Sequence, residues 1–379
     1  MKVLHVTNTI SPHQLPLARH LAEIVGVENF RFGATQPPII ERVKLGWNVD
    51  EDEAWILHAG EVDNDRIELE HWWDEADVVI CGDRLFERME DRLDKKKLTF
   101  YMSERWWKPP IGIGRMLHPR FALMAKNFIK ISKSPSLHYL PIGLYAADDM
   151  KRIAKFSSRM WNWGYFTELP KHISVNERNC NNFSILWAGR MFGWKRVDTL
   201  IRAFAKLQAK CKNATLTLVG EGPERIRLEN MAKQMLLKDS YRIYSSMPIF
   251  QVIELMKQNQ IYVLSSSAFE GWGAVINEAM SVGCAVIASK DGGAARSMIE
   301  HEKNGLLFRA GDWRALATGL DMLSRNETMR RQLADEGQRT LTEYWSPAKA
   351  AKRFLDVSAS LLARHPVPSY VKGPMAQYY

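Results

Sequence analysis

Short apolar runs alternate with amphipathic helical segments throughout the second half of this chain, and this alternation constrains the fold most strongly. The run SILWAGR (184–190) precedes a segment over 197–211 in which apolar residues recur at helical spacing. The run ATLTLVGEGP (214–223) likewise precedes a helical segment over 225–235. Four more strand-like runs follow, namely YRIYSS (241–246), QIYVLSS (260–266), GCAVIAS (283–289) and NGLLF (304–308). Strands that alternate with helices are typical of a parallel sheet with crossover helices, so we predict a doubly wound α/β domain.

The first half of the chain has the same alternation in a less regular form. A helix-like pattern over 13–25 follows the first strand-like run, and a longer helical stretch covers 112–132. The strand-like runs are KVLHVTN (2–8), RFGATQ (31–36), ADVVICGD (76–83), KLTFYMSER (97–105) and LHYLPIG (137–143). We predict a second α/β domain here, with a boundary within 160–172, where aromatic residues, a glycine and a proline interrupt the periodicity.

The predicted organisation therefore has three parts. Residues 1–165 are predicted to form a first Rossmann-like domain, and residues 166–345 a second one. A helix restarts after Trp345-Ser346-Pro347, so residues 346–379 are predicted to be a C-terminal helix with a tail. The last stretch, PVPSYVKGPMAQYY, is predicted to be poorly ordered.

Composition places the chain among globular proteins. The apolar fraction of 46% and the charged fraction of 25% are ordinary for a soluble protein. The N-terminus lacks the apolar segment of a signal peptide, and no run approaches the ~18 apolar residues that span a membrane. The four cysteines are far apart and form neither a CxxC pair nor a Cys/His cluster. We therefore expect no metal or disulfide scaffold, and a cytoplasmic location.

The net charge of +9 is concentrated in one part of the chain. Residues 105–159 contain eleven basic residues and only two acidic ones, Asp148 and Asp149. Trp106, Trp107 and several isoleucines are interleaved with these cations. Such a stretch is suited to anionic lipid headgroups at a membrane surface or to an acceptor that carries a diphosphate. The alternative is the solvated face of a basic protein.

Two motifs of the second half predict a phosphate-bearing ligand. Gly189-Arg190 ends a predicted strand, and Lys195 follows after a short loop. Arginine and lysine at the carboxyl end of a strand can hold a diphosphate between them, although they could also be two surface cations. The motif GEGPE (220–224) ends another strand, where Gly220 and Gly222 allow the backbone to approach a ligand closely.

A third motif, FEGWGAVINEAM, connects a predicted strand to a predicted helix. It contains Glu270 and Glu278, eight positions apart, and the helix N-terminus between them offers backbone N–H groups to an anion. Carboxylates beside an anion site suggest that they accept hydrogen bonds from sugar hydroxyls. The alternatives are that Glu270 caps the helix and that Glu278 is solvated.

Three motifs occur in a characteristic order along the second half of the chain, namely GRMFGWK (189–195), GEGPE (220–224) and EGWGAVINE (270–278). The chain resembles the retaining nucleotide-sugar glycosyltransferases of the GT-B fold, glycosyltransferase family 4 (group 1). The downstream run GCAVIASKDGGAARSMIEHEKNGLLF also matches the family pattern. The resemblance implies two Rossmann-like doubly wound parallel-sheet domains that face a cleft, and a C-terminal helix that crosses back to the first domain.

The resemblance also implies roles for these residues. Arg190 and Lys195 would bind the diphosphate and stabilise its charge as it departs, while Glu270 holds the donor sugar. Glu278 would bind the ribose hydroxyls. The other donor-binding positions implied are Gly271, Trp272, Gly273 and Ala274 at the phosphates, Gly220 and Gly222 at the second motif, and Ser246 and Met247 at the nucleobase. The resemblance further implies that the donor phosphate itself accepts the acceptor proton, so that no dedicated protein base is needed. It implies no metal ion and no other cofactor.

The first half departs from the family pattern. Relatives carry a Gly-Gly loop after the first strand, whereas this chain has NTISPHQLP (8–16). The resemblance therefore makes Ser11, His13 and Gln14 acceptor-side candidates, although a lone histidine is more often a surface residue. Glu104 and Arg105, at the end of another predicted strand, are further acceptor-side candidates.

The sequence thus predicts a hexosyltransferase that transfers a sugar with retention from a nucleoside diphosphate sugar, UDP in preference to GDP. The acceptor would be a glycan or a lipid-linked glycan, as in polysaccharide and cell-surface glycan biosynthesis. Its location would be cytoplasmic, with peripheral contact to the inner face of the membrane through residues 105–159. The alternatives are a catalytically silent binding subunit of the same fold and a sugar-nucleotide epimerase. DND (63–65) lies in a predicted acidic loop, so no metal role is expected for it, and no nucleic-acid motif is present.

Overall fold

The computed structural model describes residues 1–43, 53–108, 111–170 and 182–378. Within this part of the chain the residues divide into two compact units. The first contains the described residues up to Thr167 together with those from Tyr344 onwards, and the second contains those between Glu168 and Glu343. The predicted boundary stretch 160–172 lies outside the described residues at its last two positions.

The first unit is built on a six-stranded sheet in which every pairing is parallel. Its strands are β1 (Val3–Thr7), β2 (Phe30–Ala34), β3 (Ile56–Leu57), β4 (Val78–Cys81), β5 (Leu98–Ser103) and β6 (Leu137–Pro141). Their spatial order is β3-β2-β1-β4-β5-β6. The order reverses between β1 and β4, and the carboxyl ends of strands at such a reversal are where open α/β sheets bind ligands.

Helices cover both faces of this sheet. They are α1 (Leu15–Val25), α2 (Ile40–Val43), α3 (Asp63–Glu75), α4 (Phe86–Asp94), α5 (Pro119–Ile131), α6 (Leu144–Met150) and α14 (Pro347–Leu362), with 3-10 turns at Val27–Asn29 and Gly112–Leu117. Helices α1, α5 and α14 all have a proline in the first turn, where a missing N–H costs nothing. The hydroxyl of Ser346 accepts from the Lys349 N–H and caps α14, which packs on α1.

Strand alternation divides the buried side chains of the first sheet between its two faces. Leu4 and Val6 of β1 join a core with the tryptophans of α3. His5, between them, lies on the opposite face and stacks on Phe32 with ring centroids 4.6 Å apart. His138 of β6 is also buried, and its Nδ1 accepts a hydrogen bond of 3.0 Å from the indole N–H of Trp161.

The second unit repeats the architecture around a second all-parallel sheet. Its strands are β7 (Phe183–Ala188), β8 (Ala214–Val219), β9 (Tyr241–Tyr244), β10 (Ile261–Leu264), β11 (Ala285–Ser289) and β12 (Leu306–Phe308), in the order β12-β11-β10-β7-β8-β9. Its helices are α7 (Val197–Gln208), α8 (Arg225–Met235), α9 (Ile249–Gln258), α10 (Val275–Ser281), α11 (Gly293–Met298), α12 (Trp313–Arg325) and α13 (Glu327–Tyr344), with 3-10 turns at Gly193–Lys195 and Lys238–Ser240. Here the order reverses between β7 and β10.

The predicted fold class, two Rossmann-like units with parallel sheets, is confirmed. Two local predictions about helices are wrong. The DND stretch is the first turn of α3 and not a loop. The helix predicted over 112–132 is interrupted at His118, because Pro119 cannot continue a preceding turn.

The C-terminal tail, predicted to be poorly ordered, packs on the first unit. The side chains of Met375 and Ala376 are buried, and the backbone carbonyl of Ala376 accepts from the Asn162 N–H at 2.8 Å. The Arg353 guanidinium also donates to the carbonyls of Lys372 and Pro374. Sequence composition suggested disorder, but these long-range hydrogen bonds offset the entropy of the tail.

Candidate functional site

The two loops at the reversal point of the second sheet are joined directly to each other. One follows β7 and carries Arg190 and Lys195, and the other follows β10 and carries Glu270. The N–H of Ser267 donates to the carbonyl of Trp194 at 2.8 Å, and the hydroxyl of Ser265 donates to the carbonyl of Lys195 at 2.7 Å. Residues that are 70 positions apart in sequence therefore form one rigid surface.

At the centre of this surface Lys195 and Glu270 form an ion pair. The Lys195 Nζ lies 2.6 Å from Oε2 of Glu270, and the two side chains are only 14% and 10% exposed. The hydroxyl of Ser266 donates to the same carboxylate oxygen at 2.7 Å. Glu270 is thus not a helix cap, which was the alternative that its position in the sequence allowed. The fold thus holds a cation and an acceptor oxygen side by side. Because both side chains are already fixed, they lose little conformational entropy when a ligand binds.

Tyr262, beneath these loops, fixes the end of β7. Its hydroxyl donates to the carbonyl of Ala188 at 3.0 Å and accepts from the N–H of the same residue at 3.4 Å. Burial raises the pKa of this phenol well above its ordinary value, and the negative charges of Glu278 and Glu270 raise it further. Tyr262 therefore stays protonated and acts as a structural donor under Arg190.

Two glycines allow the loops to approach as closely as they do. Gly220 has φ +146°, and a Cβ there would lie 1.8 Å from the carbonyl oxygen of Gly189. A Cβ at Gly293 would lie 2.1 Å from the carbonyl oxygen of Gly271. Any side chain at either position would displace backbone, so the GEGPE turn and the Gly-Gly turn after β11 are what bring four loops together.

Glu278 is buried, with 7% of the residue exposed, so the alternative of a solvated carboxylate is also wrong. It lies in α10, a helix of only seven residues that begins after Ala274. Gly273 has φ +89°, a left-handed value that makes the turn into this helix. The indole of Trp272 is buried in the core and donates to Oδ1 of Asn277 at 2.9 Å, so this side chain supports the loop.

Arg190 lies at the solvent-exposed edge of the same surface. Its guanidinium is 5.2 Å from the ring centroid of Phe192, and the Lys195 ammonium is 4.6 Å from that of Trp194. The two rings stack with an interplanar angle of 7°. Ser246 and Met247 are half-buried between β9 and α9, and Gly222 is half-buried in the GEGPE turn.

The five acceptor-side candidates, although far apart in sequence, line a single cavity of about 720 Å³ in the first unit. The cavity lies at the carboxyl ends of β1, β4 and β5, where the order of the first sheet reverses. The candidates that meet there are Ser11, His13, Gln14, Glu104 and Arg105. The family resemblance predicted that these five residues lie on the acceptor side of the site. The order of the strands in the sheet brings them together.

Other residues that line this cavity were not named as acceptor-side candidates, although Lys108 and Arg115 belong to the basic stretch 105–159. They include Asn8, Asp83, Arg84, Lys108 and Arg115. Asp83 and Arg84 could have been found, because a polar pair follows the apolar run of β4 and the carboxyl ends of neighbouring parallel strands share one edge. Arg115 could not have been assigned to the cavity, because its position depends on a 3-10 turn within the stretch that was predicted to be a continuous helix.

Arg105 is held rigidly in the wall of the cavity. Its guanidinium lies 3.4 Å from Oδ1 of Asp149 and 5.0 Å from the ring centroid of Tyr145. The carboxylate of Asp149, itself buried, also accepts from the N–H of Trp107 at 2.9 Å. These bonds fix the loop after β5 as well as the arginine.

The basic stretch 105–159 is therefore not one uniform surface. Arg159 is half-buried, and its guanidinium donates to the carbonyls of Ser132 and Ser134 after the end of α5. By contrast, Leu117 is 90% exposed and Leu123 58% exposed, and the cations Arg120 and Lys126 lie beside them in sequence. Within the described ranges, no helix has the length and apolarity that crossing a membrane requires.

Comparison with solved structures identifies the fold. A crystal structure of HepE from Anabaena in complex with UDP superposes with a TM-score of 0.68 at 16% sequence identity. The match covers 95% of this chain and all of HepE. The chain accordingly has the GT-B fold of two Rossmann-like parallel-sheet units.

Sequence comparison finds similarity to glycosyltransferases over about half of the chain. Residues 170–340 match the family model of the group 1 glycosyl transferases. An uncharacterized glycosyltransferase of Haemophilus influenzae is 29% identical over 178 residues, which are 47% of this chain and 49% of the relative. LpsD of Rhizobium meliloti, a lipopolysaccharide core biosynthesis glycosyltransferase, is 29% identical over 182 residues, which are 46% of this chain and 49% of LpsD. The chain thus spans about half the length of these curated relatives, and the family match lies within residues 170–340.

Proposed function

We propose that the protein is a retaining glycosyltransferase of family 4 that uses a UDP-sugar donor and a glycan or lipid-linked glycan acceptor. The observation that carries the proposal is the joined pair of loops in the second unit, with Arg190, Lys195 and Glu270 at the reversal point of its sheet. The glycosyltransferase relatives and the UDP complex of HepE support the class of reaction and the choice of nucleotide.

In this proposal each group of the site meets one part of the donor. The Lys195 ammonium and the Arg190 guanidinium neutralise the diphosphate, while Glu270 accepts hydrogen bonds from hydroxyls of the transferred hexose. Glu278 accepts from the ribose hydroxyls, and Ser246 and Met247 lie against the nucleobase. Backbone N–H groups at Gly271, Gly273 and Ala274 complete the phosphate site. No metal ion is required, because the two cations offset the charge of the diphosphate.

The reaction follows from this arrangement. The acceptor hydroxyl oxygen bonds to the anomeric carbon on the face from which the diphosphate departs, and the bond from that carbon to the phosphate oxygen breaks. The hydroxyl proton passes to the departing phosphate, which leaves as a nucleoside diphosphate. Arg190 and Lys195 stabilise the charge that develops on the diphosphate, and this electrostatic contribution is commonly the largest one in catalysis.

Two other functions fit the same fold and are separated by simple assays. A silent binding subunit would bind a glycan and turn over no donor, and the intact Lys195–Glu270 pair counts against it. A sugar-nucleotide epimerase would convert the donor in the absence of an acceptor. Mass spectrometry of a donor panel, with and without acceptor glycans, distinguishes all three.

Calorimetry with UDP and GDP tests the donor site. We expect UDP to bind more tightly than GDP, and Glu278→Ala to weaken UDP binding about tenfold to a hundredfold, because charged hydrogen bonds to the ribose contribute about 1.5–3 kcal/mol. Glu254→Ala is the matched control, since that carboxylate is exposed on α9. Unchanged affinity in Glu278→Ala, with an unchanged melting temperature, would remove the ribose role, and binding of neither nucleotide would reject the proposed donor.

We further propose that this enzyme reaches its acceptor at an anionic membrane surface. The contact surface comprises exposed apolar side chains beside exposed cations in residues 111–133, namely Ile111, Ile113, Leu117 and Leu123 with Arg120, Lys126 and Lys133. Apolar side chains that enter the headgroup region and cations near anionic lipid both favour binding.

Sedimentation with phosphatidylglycerol vesicles measures this contact. We expect binding at low salt that falls at high salt, and Leu117→Ser/Leu123→Ser should reduce it at least tenfold, because burying each leucine is worth about 1.5–3 kcal/mol. Ile226→Ser is the control, since Ile226 is 74% exposed on α8 of the second unit. Failure of the vesicles to retain the protein at low salt would defeat the proposal.

A further inference from the structure

The cavity of the first unit has more positive than negative side chains in its wall. Four cations line it, namely Arg84, Arg105, Lys108 and Arg115, against two carboxylates, Asp83 and Glu104. At about 720 Å³ it is large enough for a substituted sugar.

Both carboxylates of the cavity are already engaged by the protein. Asp83 accepts from the hydroxyl of Thr35 and from the N–H of Arg84, each at 2.6 Å. Glu104 pairs with Lys108 at 2.9 Å and accepts from the hydroxyl of Tyr165 at 3.4 Å. These bonds hold the negative groups in place and offset the charge of Lys108.

The three guanidinium groups that line the cavity differ in whether a carboxylate lies beside them. Arg105 has a carboxylate partner in Asp149, outside the lining of the cavity. Arg84 and Arg115 have no carboxylate within 4.0 Å in the part of the chain that the structure describes. Among the described residues, neither of these two guanidinium groups therefore has an ion-pair partner.

Arg115 is also oriented for binding. One of its five N–H donors bonds to the carbonyl of Trp106 at 3.0 Å, and its guanidinium lies 5.7 Å from the ring centroid of Phe121. A guanidinium that is fixed at one edge can present its other donors to an oxyanion with little loss of entropy. Phe121 and Met124 give the same wall an apolar surface that suits the carbon skeleton of a sugar.

We infer that the acceptor is anionic, with a phosphate or carboxylate group bound by Arg84 and Arg115 beside the hydroxyl that receives the sugar. This inference rests on the proposed function, since it names the substrate class of the acceptor site. Phosphate and carboxylate share the chemistry of an oxyanion that accepts bidentate hydrogen bonds from guanidinium.

Three matched probes test the inference on the full chain: glucose 6-phosphate, glucuronate and glucose. Binding is measured by ligand-observed NMR with saturating UDP, so that the phosphate site of the second unit is filled. We expect one or both charged probes to bind at least tenfold more tightly than glucose, and the preference to shrink as salt rises. If only glucose 6-phosphate binds more tightly than glucose, the acceptor carries a phosphate. If glucuronate is the tighter of the two charged probes, the acceptor carries a carboxylate.

Arg84→Gln/Arg115→Gln should abolish the preference, while Arg66→Gln/Lys352→Gln should retain it, because those exposed cations of the first unit do not line the cavity. Glucose binding as tightly as both charged probes, or no binding of any probe, would overturn the inference. So would a preference that survives in Arg84→Gln/Arg115→Gln. If UDP fails to bind, the proposed function fails separately, and the probes are then compared in an Arg190→Gln/Lys195→Gln background.

Discussion

Replacing Lys195 with methionine should lower the rate of sugar transfer about 100-fold to 1000-fold. The ammonium is held 2.6 Å from Glu270 on the surface that we propose for the donor diphosphate. Loss of one group that stabilises developing charge in a partly dry site costs about 2.7–4 kcal/mol of the barrier. Initial rates of transfer, or of donor hydrolysis where no acceptor is supplied, measure the effect. Lys206→Met, an exposed lysine of α7, is the matched control and should keep the wild-type rate.

The same substitution should also destabilise the second unit, by about 3 kcal/mol. Glu270 would keep its bond from Ser266 but lose the cation that balances its nearly buried charge. Lys195→Met/Glu270→Gln should recover much of that stability, since no uncompensated charge is left, but none of the activity. A double variant that regained wild-type turnover would contradict the proposed role of both residues.

Acidification from pH 6.5 to 4.5 should cost the first unit about 5 kcal/mol of stability through His5 and His138. Burial lowers the pKa of His5 to about 3, and burial with the nearby charge of Arg159 lowers the pKa of His138 to about 3. In the unfolded chain both histidines take up protons below about pH 6.5. The unfolded state therefore binds more protons over this range, and stability falls by about 1.4 kcal/mol per pH unit for each histidine until the pH nears 3.

Native-state hydrogen exchange of the β1 and β6 amides, followed from pH 7 to 4.5, measures this loss. His5→Leu should remove about half of the pH dependence without losing a hydrogen bond, because neither ring nitrogen of His5 has a partner among the described residues. His118→Leu is the control, since that histidine is exposed. Equal slopes for His5→Leu and His118→Leu would show that His5 does not titrate as its burial requires.

Much of the second unit was predictable because its signals are local. The strand-like runs and helices α7 and α8 were located from apolar periodicity, which depends only on neighbours in sequence. The positions of Arg190, Lys195 and Glu270 at strand ends followed from the same pattern. That Lys195 and Glu270 bond to each other did not, because their contact depends on β7 and β10 being neighbours in a sheet where β8 and β9 come between them in sequence.

The first unit shows where local signals run out. Acceptor-side residues were placed by resemblance, but the position of Arg115 in the cavity became clear only once the 3-10 turn before α5 was known. The burial of His5 could not be predicted from the sequence either, since a histidine inside an apolar strand can lie on either face of a sheet. The ordered conformation of the C-terminal tail could not be predicted either, because its backbone partners at Trp161 and Asn162 are about 210 residues away in sequence.

The sequence by itself determined that the chain alternates strands and helices in two halves, and which charged residues follow the strands. It did so because the spacing of apolar residues fixes local conformation and because glycines such as Gly220 mark turns that other residues cannot make. Only the tertiary structure decided which strand ends are neighbours, which charges are paired and which guanidinium groups of the cavity have a carboxylate partner. Those properties come from parallel pairing between distant segments and from burial, neither of which is encoded in any short stretch.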